Sequence, residues 1–95
     1  LESATEAGAE ALKAALKELF MSRERLGPDH TQTLIAMRKA ASVLEKNKYT
    51  QPAEYLARQA AAGLEKNEGK NHMETIHAGS VLGEILKGRD KAAGE

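Results

Sequence analysis

The sequence predicts an all-α fold of about four helices, stacked as antiparallel helical hairpins in a short α-solenoid. Three observations predict it. LGPDHTQTL at residues 26–34 returns as EGKNHMETI at residues 68–76, so that Gly27 and Gly69, His30 and His72, and Thr33 and Thr75 are each 42 residues apart. A period of 20–50 residues marks a repeat architecture, in which each unit buries its apolar face only against its neighbours. Apolar residues recur at helical spacing, with no sustained period-two run and no hairpin dipeptide. Finally, the chain is 41% apolar, much of that is alanine, and its aromatics amount to 3%: Phe20, Tyr49 and Tyr55. So few large rings cannot fill a thick core, but alanine lets thin helices pack closely.

The elements follow in order. A first helix is expected over about 5–25, with Leu12, Leu16, Leu19 and Phe20 on one stripe. Ser3 followed by Glu6 has the spacing of a capping box at its start, and Gly27-Pro28 stops it. The second helix spans about 30–46, with Leu34, Met37, Ala41 and Leu44 inward. Asp29 then Gln32, and Asn71 then Glu74, give both linkers a cap-like spacing. Residues 47–50 turn the chain. A third helix over about 51–67 tolerates Pro52 in its first turn and turns Ala53, Leu56, Ala57, Ala60 and Leu64 inward. A fourth covers about 72–87, and the polar tail 88–95 is expected to fray. Short links between helices imply antiparallel neighbours.

With these residues in register, the chain resembles the tetratricopeptide repeat, in the 42-residue form of kinesin light chains. The motif that introduces each repeat in that form reads GPDHTQT and then GKNHMET here, and Leu82-Gly83 fits the leucine-glycine pair of the first helix, with Ala40-Ala41 as its weaker counterpart. Ala53 and Ala60 fit the two alanines of the second helix, Ala11 fits the first of them in the leading helix, and Asn47-Lys48-Tyr49 resembles the family's turn. Thr31 and Met73 stand where the family has proline, and Met37 and Gly79 replace its large aromatic, which should thin the core and leave the second repeat degraded. The resemblance makes 5–25 the second helix of one repeat, 30–67 a complete repeat, and 72–87 the first helix of the next, within a single domain or fragment over 1–95.

Composition removes several function classes. Fourteen basic residues balance fourteen acidic ones, so no positive footprint for nucleic acid exists. No cysteine is present, which removes disulfides, thiol catalysis and zinc–thiolate sites. No apolar run approaches the ~18–20 residues of a membrane span, and no signal-peptide pattern opens the chain, so a cytoplasmic protein without membrane contact is expected. His30 and His72 fall in equivalent linkers, about 10 Å or more apart on helix packing distances. Imidazoles at ~2 Å cannot share one ion across that gap. His77 lies off the face of His72, and each linker histidine reads as a hydrogen-bonding partner for backbone at a helix start. Thr33 and Thr75 read as structural first-turn residues, since no base or oxyanion site accompanies them. The glycines carry no phosphate-loop pattern. No catalytic residue, metal or cofactor is therefore expected, and the chain is expected not to be an enzyme.

In the family, the first helix of each hairpin lines a concave groove that cradles a partner peptide. The resemblance places Ile35, Arg38, Ser42 and Glu45 on that face, followed by His77, Ser80, Glu84 and Lys87 on the next helix. Residues 35, 38, 42 and 45 also step by three and four, which puts them on one stripe independently of any family. Arg38 and Lys39 replace the family's asparagine pair and would favour an acidic partner segment. The expected function is binding a peptide segment of another protein. The alternative is a structural or assembly element that self-associates through open repeat ends, as a homo-oligomer or within a larger scaffold.

Overall fold

The computed structural model describes the backbone of residues 2–93 and the side chains of residues 8–89. It is all-helical among the described residues: α1 (Glu2–Leu26), α2 (Thr31–Lys46), α3 (Thr50–Glu68) and α4 (Met73–Ala93). No described helix is long and apolar enough to cross a membrane.

The centre of the molecule is the hairpin of α2 and α3. Leu34, Met37, Ala41 and Leu44 of α2 are buried, as are Ala53, Ala57, Ala60 and Leu64 of α3. Gly63 lets the two helices close up, because a Cβ there would meet the Leu34 methyls at 2.7 Å. The hairpin turns on Lys48, which takes a left-handed φ of 70°. The Lys48 amide donates to the Glu45 carbonyl at 3.0 Å and the Tyr49 amide to the Leu44 carbonyl at 2.9 Å. Those paired bonds satisfy helix-end carbonyls in the Schellman manner, with lysine where glycine is usual. Pro52 sits in the first turn of α3, where its missing amide had no helical acceptor.

The outer helices differ from expectation in three places. In α1 the buried stripe is narrower than Leu12, Leu16, Leu19 and Phe20: Leu19 is buried and Leu12 and Ala15 are half-buried, but Leu16 is 42% and Phe20 63% exposed. The reason is that α1 packs on α2 alone among the described residues. One neighbour covers a single stripe, and Leu16 and Phe20 fall about 100° around the helix from Ala15 and Leu19. Ser3 lies inside α1 rather than ahead of it, and the side chains of the expected Ser3–Glu6 capping box lie outside the described residues. The tail does not fray at Gly88; α4 continues to Ala93. Arg89 donates to Glu54 of α3 at 2.7 Å and fastens that last stretch.

The helices are layered in chain order and do not close into a bundle. α4 packs on α3 and on α2, whereas among the described residues α1 packs on neither α3 nor α4. Contact between α2 and α4 without contact between α1 and α3 bends the stack, with α2 and α4 on its inner side. That inner side is the face the register singled out.

Candidate functional site

The two repeat joints set the positions of α2 and α4, and they match atom for atom. Gly27 and Gly69 take positive φ of 93° and 94°, each just past a helix end. Their amides donate to Arg23 and Glu65 carbonyls at 3.0 and 2.9 Å. His30 Nδ1 accepts from the Gln32 amide and His72 Nδ1 from the Glu74 amide, both at 3.1 Å. The histidines therefore cap α2 and α4, which corrects the expectation that Asp29 and Asn71 provide the caps. An imidazole ring nitrogen can accept from a backbone amide at a helix start. Its longer reach suits an extended backbone at the cap, where His30 has φ −70° and ψ 142°. Thr33 and Thr75 are buried, and their hydroxyls have no hydrogen-bond partner among the described residues.

On the inner side, residues from both helices converge. Ser42 and Glu45 of α2 and Glu84 of α4 line one cleft of about 120 Å³, with Lys46, Val81 and Ile85. One turn earlier, Arg38 reaches α4. Its guanidinium lies 3.6 Å from Glu74 and 3.5 Å from His77 Nε2, with the side chain 11% exposed. Its Nε is buried and has no hydrogen-bond partner among the described residues. A buried donor left unmade costs about 1–3 kcal/mol, a cost carried inside the α2–α4 contact. Ser80 and Lys87 line a neighbouring shallow hollow on α4 with Glu84. Ile35 packs half-buried against the core. Lys39 stands apart from these residues, turned toward α1, where it lies 4.0 Å from Glu18. Both cations read as bait for an acidic partner thus face carboxylates of their own chain. The Lys39 pair is long and exposed on both sides, so it is weak and exchangeable.

Two features escaped the sequence. Asn67 Nδ2 donates to the Asp29 carbonyl at 2.7 Å, and the Thr31 hydroxyl donates to Glu68 at 2.8 Å. Together they clamp the first joint to the end of α3. Their partners are more than 35 residues apart, beyond any local pattern. A larger hollow of about 380 Å³ also opens on the opposite side, between α1 and α3, floored by Leu34 and Met37 and rimmed by Arg23, Tyr55 and Lys66. It lies where α1 and α3 are not packed closely against each other among the described residues. No group of three or more histidine, aspartate or glutamate side chains gathers as metal ligands among the described residues.

Compared with family models, with curated proteins and with solved structures, the chain matches none. What it does must be argued from its own geometry.

Proposed function

We propose that the chain is a tetratricopeptide-like interaction module that binds a segment of a partner protein along the face between α2 and α4. The observation that carries the reading is the shared cleft: Ser42 and Glu45 from one repeat unit and Glu84 from the next line it together, with the Arg38 guanidinium one turn away. A rigid helical scaffold with polar groups from two elements suits a segment that arrives without its own fold. An acidic side chain on that segment would take the Arg38 end, competing with Glu74. Backbone amides or a basic side chain would face Glu45 and Glu84. The preformed backbone limits the ordering cost to the incoming segment.

The test is selection of displayed peptides on the immobilised chain, followed by anisotropy measurements on the selected sequences. Replacing Glu84 with Lys, and separately Ser42 with Arg, should weaken each selected peptide about tenfold or more, the loss that marks an energetically important contact. Peptides that bind both variants as well as the original chain would refute this placement.

A further inference from the structure

Six of the eight large apolar side chains exposed among the described residues lie on the two outermost helices. Leu16, Phe20, Met21 and Leu26 are on α1, and Met73 and Ile76 are on α4. Neither outer face is covered by another element, and the repeat itself shows how they can cover one another. An offset of 42 residues lays α4 on α2 and α1 on α3. Since α2 and α3 form the most extensive seam of the molecule, α4 of one copy and α1 of a second carry the two halves of another such seam.

The side chains at matching positions are exchanged in size. Within the hairpin, Met37 of α2 and Gly63 of α3 line the same hollow, bulk on one helix and none on the other. The matching residues are Gly79 on α4 and Met21 on α1. Nothing lies within 4 Å of where a Gly79 Cβ would be. Met21 lines an apolar cleft of about 410 Å³ on the outer side of α1, with Ala14, Ser22 and Leu26. Across the two seams the summed volume of this pair is conserved, which close packing demands.

The remaining positions are mixed, and Ser22 stands where Leu64 is buried. Ile76 takes the place of Leu34. A Cβ at residue 63 would come within 2.7 Å of Leu34, so Met21 cannot sit beneath Ile76 as Gly63 sits beneath Leu34. Its unbranched side chain can lie over Gly79 instead. Phe20, 63% exposed, holds the position of Ala62, which lines the hollow beside the existing seam. Glu18 stands where Ala60 is buried and lines the same outer cleft as Met21, 4.0 Å from Lys39 of its own α2. The clamp donor also persists: Asn67 donates to the Asp29 carbonyl, and Arg25 and Asn71 hold the corresponding positions.

The geometry points to head-to-tail association of this chain with further copies, α4 of one on α1 of the next. Such an interface joins two different surfaces, so each added copy leaves one α1 face and one α4 face open and growth continues. The binding face between α2 and α4 stays uncovered and would extend from copy to copy.

Sedimentation equilibrium of the 95-residue chain tests this, with Met21→Glu blocking the α1 face and Ile76→Glu blocking the α4 face. Both positions are exposed, at 42% and 56%, and circular dichroism checks that each variant stays helical. The weight-average mass of the unmodified chain should rise with concentration past that of a dimer. Each variant alone should remain monomeric, and an equimolar mixture should stop at a one-to-one dimer, because only one intact α4 face and one intact α1 face are left to meet. An unmodified chain that is monomeric at millimolar concentration would overturn the proposal, as expected if only a helix of a longer chain fits these faces. Variants that assemble as the original does, or a mixture that stays monomeric, would overturn it too.

Discussion

α2 and α4 occupy the same register of the repeat and begin with the same cap, yet one is filled and the other is not. Leu34, Met37 and Leu44 of α2 are buried, whereas Ile76 and Gly79 of α4 are exposed and Leu86 is only partly covered. The joints place both helices equally well; what differs is the company. α2 lies among α1, α3 and α4, while α4 has only α3 and α2. Period and caps determine where a helix starts and how it is oriented, and neighbours determine which of its positions must carry bulk.

Chemical denaturation of matched variants can break that contrast. Leu34→Ala should cost about 2–5 kcal/mol, because it opens a cavity in the packed seam. Ile76→Ala should stay within about 0.5 kcal/mol, as for other exposed sites. Equal losses would mean the α4 face is as covered as the α2 face. Next in size, Gly63→Val should destabilise by about 1–3 kcal/mol by forcing a branched side chain against Leu34.

The joints should respond alike. His30→Ala and His72→Ala should each cost about 1 kcal/mol through a lost cap, and asparagine at either position should recover most of it. If asparagine recovers nothing, the Nδ1 bonds are not what holds the helix starts. A gain is expected at one position: Gly79→Ala should raise stability by about 0.5–1 kcal/mol, since an exposed helical glycine contributes only backbone freedom to the unfolded chain. Measured at a concentration where the chain is monomeric, a loss at Gly79 would reveal a contact on that face within a single copy.

The sequence made the parts governed by local pattern legible. The repeated glycines mark the joints, and the α2 stripe and the alanine face of α3 lie buried where period 3.6 puts them. The α1 stripe was half right, because periodicity says which residues share a face but not how wide a face a single neighbour can cover. The tail was misjudged because the contact that fastens it, Arg89 to Glu54, spans 35 residues. At the candidate site the same limit applies. The stripe that brings Arg38, Ser42 and Glu45 together is local. The pairing of Arg38 with Glu74 and the turning of Lys39 toward Glu18 depend on helix packing. The histidine caps were legible, since each linker histidine reads as a partner for backbone at a helix start and accepts from an amide two residues on.

The most direct measurement is hydrogen exchange on the chain bound to a selected peptide. Binding between α2 and α4 predicts new protection within residues 35–45 and 77–87, with residues 13–26 and 55–66 unchanged. Protection confined to those latter segments, which flank the hollow between α1 and α3, would place recognition on the opposite side of the stack and contradict the account.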